Sequence, residues 1–245
     1  MDEQLWFTAI LNHAFAKPVN AIMQALPPVF HPENPNAPIN NTTAMEILVV
    51  CGLIILFLLI RSRLSVEKPG GVQHTAEMLD EFITNQSDGI IGHHSEKFTP
   101  FLASLFVFVF ISNLIGLIPT LESPTAVWGA TLGCAVVAFI YYNAQGIREH
   151  GLKYFKQFIG PVWWLFPLML PIEIVSHLAR VMSLTIRLRA NIFAGDMVTL
   201  TFFTLIPILV PVIFLGLHVF VSFLQAYIFT LLTTIYLGLA VSHEH

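Results

Sequence analysis

Residues 172–206 lie between Pro171 and Pro207 and contain no proline. Most are apolar, yet the run carries Glu173, His177, Arg180, Arg187, Arg189 and Asp196. As a single helix at ~1.5 Å per residue it would extend about 50 Å. The hydrocarbon core of a bilayer is only about 30 Å thick. A second proline-free run continues from Pro211 to the end of the sequence. Neither run fits a bilayer upright, and tilting accommodates the excess. The sequence therefore predicts two long, steeply tilted helices joined at a turn from Pro207 to Pro211. A break at Gly195 is the competing account for the first.

A membrane setting follows from composition. Of 245 residues, 56% are hydrophobic and 11% charged, and the mean hydropathy is +0.75. A soluble domain is far less apolar. The apolar runs are continuous, whereas a membrane β-barrel needs short alternating segments. The expectation is an all-α polytopic membrane protein with about five membrane-embedded helices and short amphipathic surface helices. The net charge of -4 gives no footing for nucleic acid. Cys51 and Cys134 stand alone in apolar runs, which disfavours metal or redox chemistry. Asp2 and Glu3 replace the basic start of a cleaved signal peptide. No cofactor is expected.

Three regions follow along the chain. Residues 1–44 form an N-terminal segment with an interfacial helix around Leu5, Trp6, Ile10 and Leu11, then a Pro/Asn-rich loop. Residues 45–156 hold spans at Met45–Ile60, Phe98–Pro119 and Ala126–Ala144. Between the first two, Thr75–Ile91 places Met78, Leu79, Phe82, Ile83, Ile90 and Ile91 in a stripe suited to the membrane surface. His93 and His94 follow, read as a solvated loop rather than a metal site. Residues 157–245 form the long hairpin. Arg61, Arg63, Lys68, Lys97, Arg148, Lys153 and Lys156 flank the spans on one side. The positive-inside rule puts them in the cytoplasm, residues 1–44 outside and the C-terminus inside.

The charges in the hairpin demand partners. An arginine does not escape burial by losing its proton. Arg180 is close enough to the cytoplasmic side to snorkel. Arg187 is deeper, and its neighbours one turn away are Ser183, Leu184, Ala190 and Asn191, none of them acidic. Asp196 lies about 180° round the helix, and Glu173 is about 20 Å away by rise. The anion for Arg187 is therefore expected from another helix or another chain. In the last helix, His218 and Gln225 share a face, seven residues apart. A histidine changes charge near neutral pH, and Asp196 is placed to reach His218 across the hairpin. Two polar sets result. Asp196, His218 and Glu122 belong to the outside; Glu173, Ser176 and His177 belong to the cytoplasm.

These residues resemble a known family. Ser183, Leu184, Arg187, Leu188, Asn191, Ala194 and Gly195 are spaced as in the signature of subunit a of the F-type ATP synthase. The likeness runs from about residue 45 to the end. It includes Pro69, Gly70, Gln73 and Glu77; Lys97, Phe98, Pro100 and Phe101; and Asn113, Gly116, Pro119, Pro124 and Thr125. His218, Gln225, Ala226, Thr233, Tyr236 and Leu237 match the family's last helix. The resemblance implies a stator subunit with two offset proton half-channels, facing a rotating ring of c subunits that each carry a membrane carboxylate. It implies Arg187 as the essential arginine and Asn191 and Gln225 as its polar neighbours. Asp196 and His218 would line the outer half-channel, Glu173 and Ser176 the inner one, with Ser183, His177 and Glu122 as further members. Subunit b of the peripheral stalk, the rest of the FoF1 complex and membrane lipid are the implied partners. The implied location is a bacterial inner membrane, and the implied role is non-catalytic in itself. The choice of H+ or Na+ would reside in the ring.

Arg189 departs from the family pattern, which commonly has an apolar or small residue there. It lies about 160° round the helix from Arg187. An acid of this chain or a lipid headgroup is its expected partner. The rival reading is a secondary transporter, which usually shows paired interrupted helices that this sequence lacks. A membrane enzyme is disfavoured by the absence of HExxH and GxSxG patterns. A scaffold would leave Arg187 unexplained.

Overall fold

A computed structural model describes residues 5–25, 27, 37–62, 64–65, 70–92, 95–118, 121, 123–151, 154, 166–205 and 209–241. The described segments are helical: α1 (Trp6–Gln24), α2 (Asn41–Ser62), α3 (Gly71–Ile91), α4 (Thr99–Ile115), α5 (Trp128–His150), α6 (Phe166–Leu205) and α7 (Leu209–Val241). Short 3-10 turns at Ser95–Lys97 and Pro124–Ala126 start α4 and lead into α5. Four helices, α2, α5, α6 and α7, are long and apolar enough to cross a membrane, and α4 is a shorter apolar helix. The expected all-α polytopic membrane architecture is thus what the chain adopts. Glu122, His93, His94 and Pro207 lie outside the described residues.

The long pair is continuous. α6 has 40 residues and passes through Gly195 without a break. At ~1.5 Å per residue it is about 60 Å long, twice the hydrocarbon thickness. It also begins before Pro171, which sits one turn in. There the proline removes a single backbone bond near a frayed end, the position where its loss matters least. α7 has 33 residues and includes Pro211 in its first turn, where no intrahelical N–H bond is made. Elsewhere the helix bounds differ from the sequence expectation by a few residues. α4 stops at Ile115, because Gly116–Ile118 folds back in tight turns. α5 starts only after the Pro124 turn and continues through the basic end to His150.

The core sits where α4, α5, α6 and α7 meet, with α3 laid across one end. Leu102, Val109, Ala135, Tyr142, Leu188, Phe229 and Leu237 are buried there. Phe223 of α7 meets Phe106 and Phe110 of α4 edge-on, with centroids 5.8 and 6.1 Å away. α2 is peripheral and exposes Ile54, Ile55, Phe57, Leu58 and Leu59. α1 docks on the start of α2 through Asn12, whose amide exchanges two bonds with the Ile39 backbone at 3.0 and 3.1 Å.

Of the stripe expected on α3, Ile83 is buried and Leu79 and Ile91 are half-buried, whereas Met78, Phe82 and Ile90 are exposed. Gln86 donates to the Tyr227 hydroxyl of α7 at 3.0 Å. Gly238 packs against Ile90 and Ile91 with room for no more than a van der Waals contact. At the same end, Lys97 reaches Glu149 at 3.5 Å. The described cations Arg61, Lys97 and Arg148 therefore gather at one end of the bundle.

Gly146 marks the closest approach inside the core. A Cβ there would lie 2.5 Å from the Tyr154 ring and 3.1 Å from the Ala240 carbonyl. The carbonyl belongs to α7 and cannot swing aside. Gly146→Ala should therefore destabilise the bundle by about 1–3 kcal/mol. A lowered thermal midpoint in detergent checks this; an unchanged midpoint would mean that α5 and α7 separate freely.

Candidate functional site

α6 supplies most of the functional side chains because its sequence mixes three surfaces. Val181, Leu184, Thr185, Leu188 and Ile192 form its buried stripe. Ile186, Phe193 and Met197 are exposed apolar residues. Polar side chains occupy the two edges between those faces. Arg180 and Asn191 reach α7, and Arg189 reaches α5.

Arg187 is half-buried. Among the described residues it forms no ion pair, as its sequence surroundings suggested. Ser183, Ala190, Ala194 and Val198, around the same face, are exposed. Asn191, one turn beyond Arg187, donates its amide to the Gln225 carbonyl of α7. Gln225 is itself 1% exposed, and its Nε2 has no hydrogen-bond partner. The structure thus brings together Arg187, Asn191 and Gln225 from two helices.

Asp196 and His218 meet as expected, with Oδ1 and Nδ1 4.0 Å apart. Gly195 makes this possible: a Cβ at that position would stand 2.9 Å from His218 Nδ1. A cleft of about 270 Å³ opens here, lined by Asn191, Gly195, Thr199, Phe214, His218 and Val221 among others. It joins His218, the partner of Asp196, to Asn191, one turn from Arg187.

A buried polar network on α4 and the Pro124 turn was missed as a site by residue-level reading. Ser123 donates to the Ser112 carbonyl at 2.9 Å and lies 2.8 Å from Thr125 Oγ1. Thr125 donates to Asn113 Oδ1 at 2.7 Å. Asn113 and Ser112 are fully buried, yet Asn113 Nδ2 and Ser112 Oγ have no partner among the described residues. On α7, His218 Nε2 and Ser222 Oγ are likewise buried without one. Buried polar groups are normally paired, and such orphans are where ordered water is held. The spacing Asn113…Ser123-x-Thr125 was visible, but only the fold shows that the turn tucks its hydroxyls under α4.

The second cluster lies toward the other end of α6. Glu173 and His177 are 3.4 Å apart. His177 Nδ1 is 3.3 Å from the Tyr142 hydroxyl of α5. Tyr154 donates to Asn143 at 2.8 Å. Burial raises the Tyr154 phenol above its ordinary range, against the lowering pull of Arg180, so it remains a donor. Ser176 is half-buried on the adjoining turn. Arg180 does not reach out of the bundle; its guanidinium lies 5.0 Å from the centre of the Tyr236 ring. Tyr142, Asn143, Tyr154 and Tyr236 are the members that sequence reasoning did not place here.

Among the described residues Arg189 forms no ion pair with an acid. Its guanidinium is stacked over Trp128 of α5, 4.3 Å from the ring centre, and Nη1 is buried without a hydrogen-bond partner.

The helices and their polar interior define a polytopic, all-helical integral membrane protein. Comparison with known proteins narrows this. The profile of the family described as ATP synthase A chain matches residues 43–238. "ATP synthase subunit a" of Koribacter versatilis is 52% identical over all of both chains. That of Solibacter usitatus is 49% identical over 84% of this chain and 88% of its own. That of Geotalea uraniireducens is 42% identical over 79% and 86%. The chain belongs to the ATP synthase A chain family.

Proposed function

We propose that this chain is the stator subunit of the Fo sector that carries protons past a rotating ring, with Arg187 facing the ring's carboxylates. The observation that carries the reading is a half-buried arginine with no ion pair among the described residues, beside an exposed face of small residues. Small residues allow close helix approach in a membrane. A partner carboxylate arriving there would supply the anion that the described residues do not.

The chemistry follows from charge in lipid. A protonated carboxyl turns through the bilayer at little cost, whereas its anion does not. Beside Arg187 the ionised form is favoured, so the proton departs. The permanent guanidinium charge also repels a proton passing directly from one polar cluster to the other. Asp196, His218, Gln225 and Asn191 form the outer half-channel in this reading, with Asn113 and Thr125 beside them. Glu173, Ser176 and His177 form the inner one, with Ser183 on the face between. The membrane potential then contributes ~2.3 kcal/mol per charge per 100 mV to the direction of turning. The gathering of Arg61, Lys97 and Arg148 at one end supports a cytoplasmic placement for that end. Residues 1–44 and the Asp196 cleft then face outside. Subunit b and the remaining FoF1 subunits are the further partners, and catalysis belongs to them rather than to this chain.

A cysteine at Ala194 is expected to form a disulfide with a cysteine placed beside the carboxylate of the ring subunit. Cross-linking in native membranes, read by gel shift, tests this. A cross-link from exposed Ile54 of α2 with none from Ala194 would put the ring on another face.

A further inference from the structure

In water, the rotation of a helix about its own axis is set by burying its apolar stripe. In lipid that argument fails, because lipid tails are as apolar as a protein core. α6 has apolar residues on both sides: Leu184, Leu188 and Ile192 within the bundle, and Ile186, Phe193 and Met197 outside it. Nothing in that distribution decides which side faces in. Directional contacts must decide it.

Two sets of such contacts hold the middle of α6 from opposite edges. Toward α7 they are Asn191 with Gln225 and Arg180 over Tyr236. Toward α5 the directional contact at this level is Arg189 over Trp128. Arg189 is a poor choice for stability alone. Its buried Nη1 has no partner among the described residues, and a buried donor left unsatisfied is destabilising by comparison with a hydrocarbon side chain. Its charge also lies beside the N-terminus of α5, the positive end of that helix's dipole. What the guanidinium supplies in return is a contact with a fixed direction that persists at every pH.

We infer that the Arg189–Trp128 pair is a rotational clamp on α6, a positioning device that keeps Arg187 turned out of the bundle. Two residues along a helix are about 160° apart. Stacking Arg189 on α5 therefore commits Arg187 to the far edge, next to the exposed small residues. The consequence for coupling rests on the proposed role of Arg187; the clamp itself does not.

The test reads helix rotation directly. Nitroxide labels placed singly at Met182, Ile186, Ala190 and Phe193 in the assembled complex report oxygen accessibility, whose phase gives the roll of α6. Arg189→Leu should shift that phase by tens of degrees, and Trp128→Leu should do the same from the α5 side. Arg189→Lys and Trp128→Phe keep a cation and a ring, and should hold the native phase. Coupled proton pumping should fall about fivefold in the two leucine variants, the order expected for a lost cation–π contact on a half-exposed ring. It should stay within about twofold in the two conservative ones. A native phase in both Arg189→Leu and Trp128→Leu overturns the clamp, whatever happens to pumping. A shifted phase with native pumping upholds the clamp and tells instead against the role given to Arg187.

Discussion

Replacing Arg187 by alanine is expected to abolish ATP-driven proton pumping while the complex remains assembled. Arg187 makes no ion pair that holds the described fold together, so its loss should leave packing intact. Its proposed work is electrostatic. An acidic side chain at the centre of a membrane helix is unfavourable by about 2.5–3.5 kcal/mol on the insertion scale. Without a facing guanidinium that penalty returns in full, which corresponds to a loss of about a hundredfold or more in ionised carboxylate. Arg187→Lys should recover little, because an ammonium on a flexible stem is a point charge that burial readily deprotonates. Pumping assayed by dye quenching in inverted vesicles, beside a blot for the assembled complex, decides the matter. Normal coupled pumping in the alanine variant would sink the proposed mechanism.

The second large effect is expected at the Asp196–His218 pair. Asp196→Ala and His218→Ala should each slow proton uptake by about a hundredfold, the lower end of what a positioned acid–base group contributes. The two groups lie 4.0 Å apart, and members of one relay do not act additively. The double variant should therefore be no slower than the worse single one. Gly195→Val tests the same pair without replacing either group, since its side chain would displace the His218 ring. Passive proton flux through Fo with the F1 portion removed is the measurement. Native flux in both single variants removes the pair from the path, and multiplied losses in the double variant would mean two separate routes.

The extent of the helices was largely legible in the sequence. Hydropathy runs located α2, α4 and α5, and proline spacing announced that α6 and α7 would be long. Proline spacing also misled at the edges. Pro171 and Pro211 lie inside helices, because a proline in the first turns gives up little. At the site, the separation of Arg187 from Asp196 and Glu173 could be computed from helix geometry alone, and so could the shared face of His218 and Gln225. What one helix cannot reveal is what its neighbours bring. Tyr142, Tyr154 and Tyr236 reach the Glu173 end from α5, from the segment after it and from α7. Trp128 explains Arg189 only once α5 is placed beside α6. The hydroxyls of Ser123 and Thr125 read as ordinary turn chemistry until the turn is seen folded beneath Asn113.

The docking of α3 on α7 has a consequence for how the chain is made. Gln86 and Tyr227 are 141 positions apart. A ribosome adding about 5–20 residues per second needs roughly 7–30 s to cover that distance. Throughout that interval α3 exists and its partner does not. Until then the buried Ile83 and Ser87 have only α4 and lipid to pack on. An amphipathic helix can wait at a membrane surface without aggregating. The stripe that later joins α3 to α7 thus first serves as a parking place on the bilayer, and α7 closes a structure begun well before it was made.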